Sequence, residues 1–160
     1  MQEKSLVVYY SRTGTTKILA QNIITYTWAD SEEILDMKKR KWFRWYLRSG
    51  HDAAHKRLTT IQLPTFDPST YDHIYIGTPV WDFGMSCAIR TYIHTYRTKF
   101  PPKISFFCTM RKESAREVFQ EMTLSTWIAP FSCISYTQKE IQSWMFKERL
   151  SALLGGSIIP

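Results

Sequence analysis

A chain of 160 residues, 44% of them hydrophobic, has apolar side chain enough for one packed core and too little for two ordinary domains, so a single domain over residues 1–160 is expected. No stretch approaches the roughly 18 consecutive apolar residues that a membrane-spanning helix needs, and residues 1–4 lead into a strand-like segment, not the apolar region of a secretion signal, so a cytoplasmic protein is expected. The net charge of +7 sits in one place: residues 38–57 carry Lys38, Lys39, Arg40, Lys41, Arg44, Arg48, Lys56 and Arg57 against Asp52 alone, so the high pI describes a segment and its partners rather than a fold.

Residues 4–10, Lys-Ser-Leu-Val-Val-Tyr-Tyr, form a short apolar and β-branched run that stops at Ser-Arg-Thr-Gly, the pattern of a fully buried parallel strand. From Thr15 the period changes to that of a helix, with Ile18, Leu19, Ile23 and Ile24 on one face. Residues 33–37 suggest a second strand, and residues 41–58 a helix rich in aromatics and cations. A third strand is expected over residues 73–78, ending at Pro79, and a helix over 86–96. A fourth strand covers 103–109, a helix 113–122, a fifth strand 131–136 and a last helix 139–154. Strands alternating with helices predict an α/β fold: a doubly wound, five-stranded parallel sheet with helices on both faces.

In such a sheet ligands lie beyond the carboxyl ends of the strands, at the topological switch point, so the loops after strands one, three and four carry the functional information. The first, Ser11, Arg12, Thr13, Gly14, Thr15 and Thr16, sets four hydroxyls and a glycine between a buried strand and a helix start. Helix N-terminal amides lack partners and the helix dipole favours an anion, which makes this a phosphate cradle; taken alone, it also reads as a Ser/Thr-capped turn. It fits neither the Walker spacing nor Gly-x-Gly-x-x-Gly, which disfavours an ATPase or a classical dinucleotide site. The second loop, Pro79, Val80, Trp81, Asp82, Phe83 and Gly84, places two aromatics at the mouth of the sheet, where a planar ligand would gain about 0.5–1.5 kcal/mol from stacking; a tryptophan plugging the core is the alternative. Cys87, Cys108 and Cys133 are odd in number and widely spaced, unlike a disulfide framework or a zinc site, and His51, His55, His73 and His94 lack metal-ligand spacing. No metal site and no catalytic acid, base or nucleophile is expected.

Together, Ser-Arg-Thr-Gly-Thr-Thr after strand one and Tyr-Asp-His-Ile-Tyr-Ile-Gly-Thr-Pro-Val-Trp into the loop after strand three resemble the flavodoxin family over nearly the whole chain. The resemblance implies a flavodoxin-like sheet of order 2-1-3-4-5 and a flavin mononucleotide (FMN) cofactor. Its phosphate would rest on Ser11, the Arg12 amide, Thr13, Gly14, Thr15 and Thr16. Its isoalloxazine would be flanked by Pro79 to Gly84, with a flexible peptide near N5. After strand four the chain departs from the family, offering Thr109, Met110, Arg111 and Lys112 in place of a glycine-rich or tyrosine-bearing cover. Met110 would pack on the ring, and Arg111 near N1 and O2 would raise the potential, opposing Asp82.

The resemblance implies electron transfer between a reductase and an acceptor protein. An FMN-dependent NAD(P)H or quinone oxidoreductase is the alternative, and a flavin-free basic interaction module a third reading. Residues 38–57 depart from the acidic character of the best-known flavodoxins; they would meet an anionic surface, a membrane or an acidic redox partner, with nucleic acid disfavoured, or simply pack aromatics on the sheet and solvate their cations.

Overall fold

The computed structural model describes residues 3–37, 57–111 and 115–154. Strand β1 (Ser5–Tyr9) is buried on both faces, which explains its unbroken apolar run. Helix α1 (Thr15–Thr27) turns Thr16, Leu19, Ala20 and Ile23 inward. Strand β2 (Asp30–Glu33) pairs in parallel with β1, Leu6 opposite Asp30 and Tyr9 opposite Glu33. It thus begins three residues earlier than expected over 33–37. As an edge strand of sequence Asp-Ser-Glu-Glu it carries no apolar signature. The apolar residues that suggested a strand pair instead with the returning chain: the Gln62 amide donates to the Leu35 carbonyl, and Asp36 bridges Ile61 in antiparallel fashion. The helix expected over 41–58 lies outside the described residues, except for Arg57 and Leu58, which are not helical.

Strand β3 (His73–Trp81) runs three residues past its expected end and turns back into β4 (Gly84–Met85), so the supposed loop is a hairpin. Pro79 is tolerated in β3 because β1 stops pairing at Gly77, leaving an open edge where no ladder bond needs an amide. Helix α2 (Cys87–Tyr96) starts at the Ser86 cap, whose hydroxyl accepts from the Ile89 amide. Strand β5 (Lys103–Met110), helix α3 (Ala115–Thr126) and strand β6 (Ser132–Thr137) follow.

The expected last helix over 139–154 is two: α4 (Gln138–Ser143) and α5 (Phe146–Leu153), separated by Trp144 in the left-handed region at φ 61°. Ile141 and Phe146 are five apart, roughly 140° around a continuous helix. The break brings Phe146 and Leu150 into the same core as Ile141 and leaves Met145 outside.

The sheet order is β2-β1-β3-β5-β6, all parallel, with β4 antiparallel at the carboxyl end of β3. With the hairpin strand set aside this is the predicted 2-1-3-4-5. Alternate residues feed two cores. Leu6, Val8, Ile74, Ile76 and Phe106 meet α2 and α3 on one face, while Val7, Tyr75, Phe107 and Ile134 meet α1, α4 and α5 on the other. Each such side chain contributes about 1.5–3 kcal/mol on burial. Gly77, central in β3, makes room for the Phe107 ring, since a Cβ there would lie 2.0 Å from it. Among the described residues, no helix is long and apolar enough to cross a membrane.

Candidate functional site

From β1 the sheet extends to β2 on one side and to β3 on the other, which makes the carboxyl ends of β1 and β3 the switch point. Three segments meet there. The Tyr10 amide donates to the Gly77 carbonyl at 3.2 Å. The Thr16 and Thr109 hydroxyls hydrogen-bond at 2.7 Å, fully buried, and Pro79 stands opposite Thr109 in the β3–β5 register. The first loop, the hairpin and the end of β5 are thereby locked into one cleft rim.

Gly14 is the N-cap of α1 at φ 90°, a conformation that favours glycine, and offers no side chain to the helix. The helical ladder opens with the Ile18 amide on the Gly14 carbonyl, and Ser11 Oγ accepts from the Lys17 amide at 3.2 Å. The amides of Thr15 and Thr16 are the first-turn donors left to an external acceptor. The four hydroxyls therefore divide. Ser11 caps and Thr16 braces β5, whereas Thr13 and Thr15, 3.4 Å apart, lie toward solvent beside the open amides. The capped-turn reading is realised by Ser11, while Thr13 and Thr15 stand beside the open amides. An anion such as a phosphate fits this donor set.

Across the cleft, half-buried Trp81 and Tyr10 meet in a T-shaped contact, with centroids 5.6 Å apart and planes at 88°. The Arg12 guanidinium lies 4.9 Å from the Trp81 centroid, bridging the two loops by a cation–π contact. Asp82 and Phe83 form the two-residue tip at φ 46° and 63°. Both in the left-handed region, as in a type I′ hairpin, they leave Phe83 67% exposed. Such strain at a non-glycine costs about 1–3 kcal/mol and gathers at ligand sites. Thr78 pins the hairpin's base: its hydroxyl accepts from the Ser86 amide at 2.9 Å and donates to the Pro79 carbonyl. Val80 pairs with Met85 and Trp81 with Gly84, both buried on the β4 side.

At the end of β5, Thr109 and Met110 are buried and Arg111 is exposed. Met110, itself buried, lines an open groove of about 390 Å³ with Ala115, Arg116, Thr137, Glu140 and Arg149. Lys112 lies outside the described residues.

Two groups at the rim carry no signal in the loop motifs. Lys17 pairs with Glu33 at 2.7 Å, and Tyr9 donates to the same carboxylate at 3.3 Å. Burial and then Glu33 push the Tyr9 phenol up to about 12, so it stays a donor. Tyr10, in T-shaped contact with Trp81, reads in sequence as the last core residue of β1. Cys108, beside Thr109, is pushed up to about 12 by burial and is a thiol, not a nucleophilic thiolate. His73 sits at the opposite end of β3, its Nε2 2.9 Å from Ser105 Oγ.

A parallel sheet of this order, with open amides at the first helix start and an aromatic hairpin at the switch point, has the architecture of the flavodoxin-like fold. The sequence model of the family described as Flavodoxin matches residues 4–145, and the chain belongs to that family. In three dimensions it is similar to a flavoprotein in complex with FMN from Lactobacillus acidophilus NCFM, at 22% identity and TM-score 0.74, over 89% of this chain and 99% of that one. The apo-form of the flavoprotein from the same organism aligns at 21% identity and TM-score 0.65, over 90% and 98%. A flavodoxin from the domain Archaea aligns at 14% and 0.51, over 94% and 98%. No curated protein matches the chain in sequence.

Proposed function

We propose that this protein binds FMN between the loop at residues 11–16 and the β3–β4 hairpin, and serves as an electron carrier between redox proteins. The observation that carries the reading is the meeting, at one switch point, of two unpaired first-turn amides with an aromatic hairpin tip held in left-handed geometry. The Thr15 and Thr16 amides and the Thr13 and Thr15 hydroxyls hold the phosphate, and Gly14 lets the chain turn into that arrangement. Trp81 supplies a face for the ring, from which the Arg12 guanidinium must swing away. Asp82, at the exposed tip, places a negative charge near the ring and lowers its potential, while Arg111 acts in the opposite sense. Bound flavin supplies one- or two-electron transfer, and the protein supplies position and access. Residues 38–57 present their net +7 to an acidic reductase, acceptor or anionic surface, in the cytoplasm.

The test is the visible spectrum of purified protein with and without added FMN, followed by anaerobic reduction with dithionite and then NADPH. Bound flavin that dithionite reduces and NADPH does not is the result expected of a carrier. Rapid reduction by NADPH would make the protein an oxidoreductase, and failure to bind FMN at tens of micromolar would overturn the reading.

A further inference from the structure

The hairpin that carries Trp81 is held from behind by a buried ion pair. Arg90 on α2 and Glu121 on α3 have side chains 8% and 14% exposed. Arg90 Nε and Nη2 both donate to Glu121 Oε1, at 3.1 and 2.8 Å. The other carboxylate oxygen, Oε2, accepts the Met85 amide at 3.0 Å, and Arg90 Nη2 also donates to the Met85 carbonyl at 3.1 Å. Both backbone groups of Met85 thus end on this pair. Arg90 Nη1 reaches further, to the Arg57 carbonyl at 3.2 Å. The neighbouring Thr91 hydroxyl accepts from the Thr59 amide at 2.9 Å and lies 3.2 Å from its carbonyl.

Burying two charges is costly, and hydrophobic residues of similar volume often serve stability as well or better, so stability alone is a poor reason for the pair. Position is a better one. Strand β4 is two residues long, and its ladder consists of Val80 opposite Met85 and Trp81 opposite Gly84. A ladder that short, closed by two left-handed non-glycine residues, is marginal by itself. The donors and acceptors that complete it come from Arg90 on the next helix and Glu121 on the one after.

We propose that Arg90 and Glu121 are positioning residues for the flavin-flanking hairpin: by fixing Met85 they fix its partner Val80 and, one rung further on, the Trp81–Gly84 pair, and they tie the hairpin to the chain at Arg57. The proposal rests on the FMN reading above. Two variants separate position from stability. Glu121→Gln keeps the shape but leaves one acceptor oxygen where two are used; with that oxygen kept by the Arg90 guanidinium, the Met85 amide faces an NH2 donor. The double variant Arg90→Met, Glu121→Met removes both charges and fills the space.

Three measurements are made on each: thermal unfolding, hydrogen exchange of the Met85 amide in the apoprotein by NMR, and FMN titration by fluorescence quenching. Glu121→Gln is expected to speed Met85 exchange and to weaken FMN binding, each at least tenfold. The double variant, which leaves no unpaired buried charge, is expected to melt above Glu121→Gln while Met85 exchange stays fast and FMN binding stays weak. Met85 exchange and FMN affinity within twofold of wild type in both variants would overturn the proposal, as would affinity that recovers together with the melting temperature. Wild-type protein that takes up no FMN would instead overturn the cofactor reading, and Met85 exchange in the apoprotein would still decide whether the pair orders the hairpin.

Discussion

Replacing Gly14 by alanine isolates what backbone conformation contributes to the phosphate end of the cleft. A Cβ added at Gly14 meets nothing within 4 Å, so the cost is conformational and not steric. At φ 90° an L-residue pays about 1–2 kcal/mol for the left-handed region, set against a gain of about 0.4–1 kcal/mol from restricting the unfolded chain. The net is a loss of about 1 kcal/mol, or roughly 2–4 °C in melting temperature for a chain of this size. If the backbone escapes by relaxing φ, the Thr15 and Thr16 amides turn away from the cleft. Losing one hydrogen bond to a charged phosphate is worth about 1.5–3 kcal/mol, roughly tenfold or more in FMN affinity. Gly14→Asn is the control, because asparagine tolerates positive φ and caps helices well. Urea unfolding of the apoprotein and FMN titration are the assays. Alanine and asparagine variants that match wild type in both would refute the argument that φ at position 14 presents the amides.

Two further predictions concern the scaffold. Gly77→Ala drives a methyl into the fully buried Phe107 ring, 2.0 Å away, in the middle of the sheet; overpacking of this kind costs about 1–3 kcal/mol, and Phe107→Leu in the same chain should recover part of it in a double-mutant cycle read by urea unfolding. His73 packs on Tyr75 and Phe131, with Glu3 3.6 Å from its Nδ1 and Ser105 on Nε2. Burial, then Lys103, hold its pKa down to about 4 against the opposing pull of Glu3. A folded-state pKa below the unfolded value of about 6.5 gives stability present above pH 6.5 and lost as pH falls toward 4, at about 1.4 kcal/mol per unit of separation. Wild type should therefore lose stability between pH 7 and 4.5 more steeply than His73→Gln, and parallel curves would count against a buried neutral imidazole.

The strand–helix alternation was legible in sequence wherever a segment is buried on both faces or along one stripe, as β1, β5 and α1 are. Local chemistry also marked the two cleft segments: a glycine among hydroxyls before a helix, and aromatics around an acidic residue after a strand. Edge and hairpin elements were not legible in the same way. Strand β2 is polar because one side of it is open, and Leu35 to Met37 beyond it answer to residues 60–62, which periodicity cannot reveal. The stretch at residues 79–84 reads as loop because proline, aspartate and phenylalanine argue against a regular hairpin. Tertiary contacts from Arg90, Glu121 and Thr78 overrule that preference.

Residue types alone determined the class of the fold and marked the two segments that meet at the switch point, because burial periodicity and helix-start chemistry are local. Only the tertiary structure decided how the four hydroxyls share their work, that Arg12 crosses to Trp81, and that the helix at the C-terminal end breaks at Trp144 to return Phe146 to the core. Each of these depends on partners distant in sequence or on the phase at which a helix meets the sheet, and neither is written in any short window of the chain.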